Sequence, residues 1–253
     1  MSINKKLLVF FILLMIAATY IFNTFLDLSR LFSCTLYDSF PNEILKRINV
    51  LLAAILIWAT GEDCLGARDK LLMKLVFFVI SIGELFFLLG RPDLAIPLFA
   101  VCQCLLIARH GKNLGSKLHK APLNKKTQLG FWALILFIAY LSTVAALSSY
   151  IAYNTLVILG GLYGIILSIS LWTGLACSIL ELFPLPNSKL IAMGMLCFYA
   201  CDILVGLDGL LGYSTAWIVA SSLIWFFYTP AITLLALSSY KYGIKPIPLA
   251  NYD

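Results

Sequence analysis

Apolar runs, most of them long enough to cross about 30 Å of hydrocarbon as helix at ~1.5 Å per residue, recur along almost the whole chain. Eight can be set apart by their polar punctuation: 7–26, 47–60, 72–89, 94–109, 129–149, 153–178, 189–206 and 214–238. No stretch is left for a soluble domain, so the expected fold is all-α: one integral membrane domain over 1–253, a bundle of eight transmembrane helices. Composition agrees, because 62% hydrophobic and 12% charged residues, with a mean hydropathy of +0.97, lie far from the half apolar and quarter charged of soluble domains.

The punctuation divides the chain into helices 1–4 (about 7–109), a basic connector at 110–127, and helices 5–8 (about 129–238). Lys5 and Lys6 before the first run resemble the start of a signal peptide. The run is long, lacks a small-residue cleavage site and is followed by further spans, so a retained first helix is expected. Leu31-Phe32-Ser33-Cys34 is a poor lipoprotein box because of the Phe. Gly90-Arg91-Pro92-Asp93 reads as a tight turn, Pro184-x-Pro186 as a break, and Asp208-Gly209 as the turn after the seventh run. The Tyr228-Thr229-Pro230 segment should bend the last helix and free carbonyls that need partners.

The net charge of +6 is concentrated in the connector and reads as topology rather than as a nucleic-acid surface. With both termini cytoplasmic, 14 of the 18 Lys and Arg fall on the inner side, leaving Arg30, Lys46, Arg47 and Arg91 outside. The third and seventh helices then run in the same direction, which places Glu84 and Asp202 at matching depth, roughly 9 Å below one face. Their equal offsets suggest a parallel four-plus-four repeat.

Charged carboxylates in hydrocarbon are costly, and such residues commonly mark function. Two facing carboxylates in a bundle do not both ionise easily, which suits general acid and base catalysis and equally suits a proton-coupled carrier. Glu84 and Asp202 are the candidate catalytic pair. Gln103, Tyr228 and Tyr199 are the candidate substrate-binding residues, and with Ser81 they are also candidate hydrogen-bond partners for the acids. Asn154 and Thr155, at the start of the sixth run, read as helix–helix hydrogen-bonding residues.

Other chemistry is disfavoured. The seven cysteines, including Cys102-x-Cys104 and Cys197-x-x-x-Cys201, have no histidine beside them and read as small buried hydrophobes. His110 and His119 sit in the connector and read as solvated loop residues. No metal and no cofactor is expected, and no Gly-x-Ser-x-Gly elbow, phosphate loop or His-Glu-x-x-His is present. Gly160, Gly161, Gly164 and Gly174 form a small-residue stripe that should let helices pack closely within one chain.

Three segments resemble the YhhN family of lysoplasmalogenase-like, eight-helix membrane proteins. Gly83-Glu84, followed by Phe99-Ala100-Val101-Cys102-Gln103, stands where the family has Gly-Asp and a Phe-rich stretch ending in His. Gly194, Phe198 and Asp202 fit its Gly-x-x-x-Phe-x-x-Ser-Asp segment, with Cys201 in place of Ser and Val205 where Leu is usual. Phe227-Tyr228-Thr229-Pro230-Ala231 matches the third segment through Tyr228, with Ala231 replacing Gln.

The resemblance implies that Glu84 and Asp202 take the acid–base positions of a hydrolase acting on the vinyl ether of lysoplasmalogen-type lipids. Protonation of the alkenyl carbon gives an oxocarbenium-like species, and water captures it to release an aldehyde and a glycerophospho-headgroup. The extra methylene of Glu84 moves its carboxylate by about 1.5 Å, a displacement of a size that affects catalysis. Membrane lipids and a lysophospholipid substrate are the implied partners; separately, a bacterial inner membrane suits the lack of glycosylation or retrieval signals in the sequence. The alternatives are a proton-coupled small-solute or lipid transporter and a non-catalytic, degenerate family member.

Overall fold

In a computed structural model that describes residues 3–33, 40–148, 155–209 and 214–242, helices occupy nearly every described residue. They are α1 (Ile3–Ser33), α2 (Phe40–Thr60), α3 (Ala67–Leu88), α4 (Pro92–His110), α5 (Leu114–Lys120), α6 (Leu123–Ser148), α7 (Thr155–Ile179), α8 (Leu185–Asp208) and α9 (Thr215–Leu237). Seven of them, α1, α3, α4 and α6 to α9, are long and apolar enough to cross a membrane, which makes the chain a multi-pass membrane protein. The second expected span, 47–60, falls within α2, which carries Glu43, Lys46 and Arg47 near its start and is not among the seven. Cys34, Asn154 and Lys245 lie outside the described residues.

The helices pack in a closed ring. α2 lies against α3, α3 against α4, α4 against α7, α7 against α8, α8 against α9, and α9 returns to α2. α1 stands outside the ring on α2 and α9, and α6 stands outside on α7. Numbering the halves α1–α4 and α6–α9 reveals the same order twice: an outer first helix, then three ring helices, with each half's last helix meeting the other half's second. A parallel repeat of even helix number has this arrangement, and it pairs α3 with α8.

Lipid gives helices no hydrophobic reason to associate, so close backbone approach carries the packing. A Cβ on Gly174 would lie 2.6 Å from Met195 Cγ, and one on Gly194 3.0 Å from Leu235 Cγ, joining α7 to α8 and α8 to α9. Gly164 approaches the Tyr140 ring, whereas Gly160 and Gly161 have nothing within 4 Å. The expected glycine stripe is therefore an interhelical contact only at Gly164 and Gly174. The outer α6 shows why the chain needs lipid, since Phe131 and Phe137 are each about 60% exposed along it.

Turn chemistry follows the sequence. Gly90, at φ 66°, ends α3 with its own amide donating to Phe87 and the Arg91 amide donating to the Phe86 carbonyl at 2.8 Å, the hydrogen bonding of a glycine-terminated helix. Pro230 has no N–H for the Phe226 carbonyl. That carbonyl instead accepts from the Tyr20 hydroxyl of α1 at 3.1 Å, so the freed group clamps an outer helix to the ring.

One end of the bundle is fastened by polar contacts. The Arg109 guanidinium pairs with Asp69 at 2.7 Å and donates to Ser238 Oγ at 2.8 Å and to the Ser238 carbonyl at 3.1 Å. Asn187 Nδ2 donates to the carbonyls of Ser238 and Tyr240, and Tyr240 donates to that of Leu56. Lys5 joins α1 to this end through Asp63, 2.6 Å away. The Lys5 ammonium holds the Asp63 carboxyl below its usual range.

The connector departs from expectation. It contains α5, and α4 runs through to His110, which is fully buried; its backbone carbonyl accepts from the Cys177 thiol. His110 is thus a packed residue at the end of α4 rather than a solvated loop residue, because α7 covers it. His119 is exposed as expected.

Candidate functional site

The α3–α4 contact is set by Gly83, where a Cβ would sit 2.8 Å from the Phe99 ring. With no side chain there, the Phe99 ring of α4 packs against α3 and starts a chain of aromatic contacts. Its ring centroid is 6.4 Å from that of Phe198 on α8, Phe198 is 5.8 Å from Tyr228 on α9, and Tyr228 is 5.4 Å from Trp225. The residue after Gly83 is Glu84, so the same close approach that seats Phe99 places a carboxylate beside this aromatic wall.

Glu84 is buried, and its charge is matched by Arg47 of α2. Arg47 Nη1 lies 3.2 Å from Glu84 Oε2, Nη2 lies 3.4 Å from Glu43, and the guanidinium stacks 4.8 Å from the Trp225 ring centroid. A carboxylate in an apolar bundle is tolerable when paired in this way. The Tyr228 hydroxyl is also near Glu84 but completes no aligned hydrogen bond.

Asp202, the equivalent acid on α8, has a different partner. It is partly buried at the seam of α7 and α8, where the Tyr163 hydroxyl of α7 donates to Oδ2. Behind this pair Gln103 of α4 is fully buried beside Tyr163, and neither its amide oxygen nor its nitrogen completes a hydrogen bond. Asp202 lies within electrostatic reach of Glu84. The acids do not share a proton directly: one faces a cation, the other a phenol.

Four of the five residues expected in the site gather here: Glu84, Asp202, Gln103 and Tyr228. Tyr199, a helical turn before Asp202, is half-buried and packs against the apolar core, and no hydrogen bond joins it to either acid. Ser81 spends its hydroxyl on the Phe77 carbonyl of its own helix at 2.8 Å. The partners that hold the acids are instead Arg47 and Tyr163. Arg47 looks like a flanking topology charge in the sequence, yet it begins the α2 span. Tyr163 sits among glycines and leucines with nothing to single it out.

A buried cation, Lys46, precedes Arg47 on α2. Lys46 is almost fully enclosed, 3.2 Å from Asp27 of α1 and 3.6 Å from Glu43, and Asn42 donates to the same Asp27 oxygen at 2.8 Å. Lys46 and Arg47 are therefore both consumed by ion pairs inside the bundle. No group of three or more His, Cys, Asp or Glu that could hold a metal occurs among the described residues. No family model, curated protein or solved structure matches this chain.

Proposed function

We propose that the protein is a membrane hydrolase of the lysoplasmalogenase-like type, cleaving the vinyl ether of a lysoplasmalogen-type lipid with Asp202 and Glu84 as its acid–base carboxylates. The observation that carries this reading is the contrast between them. Asp202, partly buried where α7 meets α8, faces a neutral phenol, while the buried Glu84 faces a guanidinium. A carboxyl facing a neutral hydrogen-bonding partner is suited to deliver a proton, and one facing a cation is suited to remain a base.

In this scheme Asp202 gives its proton to the alkenyl carbon distal to the ether oxygen, and positive charge develops on the carbon bearing oxygen. Water adds there as Glu84 receives its proton. The hemiacetal collapses to an aldehyde and a glycerophospho-headgroup alcohol, and proton return from Glu84 to Asp202 resets the site. Gln103 offers a donor and an acceptor to the lipid's polar atoms, and Tyr228 offers a hydroxyl.

Purified protein supplied with a lysoplasmenyl lipid tests the reading. Aldehyde should form, and Asp202→Asn and Glu84→Gln should each lower the rate by about a hundredfold or more while the protein stays folded. Absence of aldehyde across several alkenyl lipids, from folded protein, overturns it.

The repeated ring favours a second reading, a proton-coupled carrier of a small solute or lipid, since transporters often place acids at the interface of two such halves. Proteoliposome uptake driven by a pH gradient and lost in either acid variant would select that reading.

A further inference from the structure

We infer that the end of the bundle opposite the two carboxylates holds a binding site for a phosphate-bearing ligand, in a cleft of about 840 Å3 between the starts of α3 and α8. Glu84 lies 17 residues along α3 from Ala67, roughly 25 Å of helix, so the cleft is separate from the acid pair.

Three cations line the cleft, each from a different element: Arg68 in the first turn of α3, Lys112 after α4, and Lys241 after α9. No carboxylate of the described residues lies within ion-pair distance of any of them, whereas the other cation in the wall, Arg109, is neutralised by Asp69. The main chain at Lys241 is held at the cleft, its backbone amide donating to the Asp63 carbonyl at 2.9 Å. The cleft thus presents three uncompensated positive charges.

Backbone adds to this charge. α3 and α8 both begin at the cleft, at Gly66 and Pro184, and neither start receives a side-chain cap. Free amide groups and the positive ends of two long helices favour an anion. Arg68 is in an unfavourable position for α3 by itself, because a cation in a first turn opposes the helix dipole. An anion bound between Arg68, Lys112 and Lys241 removes that opposition.

Leu72, Leu182 and Phe183 give the same cleft an apolar wall, beside the polar Asn113 and Tyr242. A phosphate ester with an apolar portion fits this combination of cationic mouth and greasy wall. Two sources supply that chemistry: the headgroup of an anionic phospholipid and a soluble phosphoester.

The test uses full-length protein in a neutral detergent and follows its thermal unfolding midpoint during two titrations. One uses dioleoylphosphatidylglycerol, with dioleoylphosphatidylcholine as the neutral-headgroup comparison, and the other uses glycerol 3-phosphate. Saturable stabilisation by phosphatidylglycerol but not phosphatidylcholine assigns the lipid source, and saturable stabilisation by glycerol 3-phosphate assigns the soluble one. Either should weaken about tenfold for each of Arg68→Gln, Lys112→Gln and Lys241→Gln, and should be unchanged in Lys120→Gln, an exposed cation of the same end outside the cleft. Lys112→Gln alone decides the matter if the other variants unfold. No saturable stabilisation by either probe, or stabilisation that Lys112→Gln and Lys120→Gln affect equally, overturns the inference.

Discussion

Arg47 Nη1 stands 3.2 Å from Glu84 Oε2, which joins α2 to α3 by an ion pair inside the bundle. The pair explains how an apolar helix carries a carboxylate, and it makes the first acid's environment depend on a residue of a neighbouring helix.

Removing one partner should therefore harm the protein more than removing both. Arg47→Met leaves Glu84 without its main counter-charge and is expected to cost about 3 kcal/mol, within the range for broken buried pairs. Adding Glu84→Gln to Arg47→Met should recover a good part of that loss. Unfolding midpoints of the wild type, the two single variants and the double variant in one detergent measure the coupling.

Tyr163→Phe removes the donor to Asp202 and little volume. Stability should fall by about 1 kcal/mol, while aldehyde release, under the proposed function, should fall by about tenfold or more because the acid loses its orientation. Rates normalised to folded protein separate the two effects.

How legible all this is in the sequence varies by residue. The helices, the tight turn at Gly90 and the placing of Glu84 and Asp202 within long apolar helices are legible from hydropathy and turn residues. Arg47 was hidden because a cation at the edge of a span has the same pattern whether it faces water or turns inward. Tyr163 was hidden because partners on different helices have no fixed spacing, and His110 because burial by α7 is a tertiary event. Tyr20, which answers the carbonyl freed by Pro230, lies 206 residues from Phe226. Sequence shows that the carbonyl needs a partner and cannot show which helix supplies it.

Gly174→Ala should destabilise the α7–α8 contact by about 1–3 kcal/mol, the usual range for overpacking, because the new Cβ would meet the root of the Met195 side chain at 2.6–2.9 Å. Met195→Ala in the same chain should restore part of the midpoint, which thermal unfolding reports.

The Lys5–Asp63 contact should make the anchoring of α1 depend on pH. Because the folded Asp63 carboxyl is held below its ordinary range by Lys5, its contribution is fully present above that range and is lost as pH falls through the folded value. Protease cleavage or hydrogen exchange in the Thr60–Ala67 turn should rise on acidification in the wild type. In Asp63→Asn it should be raised already at neutral pH and respond less to acid.

The most direct measurement of the proposed acid–base role of Asp202 and Glu84 is hydrolysis of a lysoplasmenyl lipid by purified protein in deuterated water. Transfer of a solvent-derived proton to the alkenyl carbon predicts aldehyde carrying one deuterium on the carbon next to the carbonyl, with release abolished in Asp202→Asn and Glu84→Gln. Aldehyde formed at the wild-type rate by both variants, or no aldehyde from folded wild-type protein, would contradict the account.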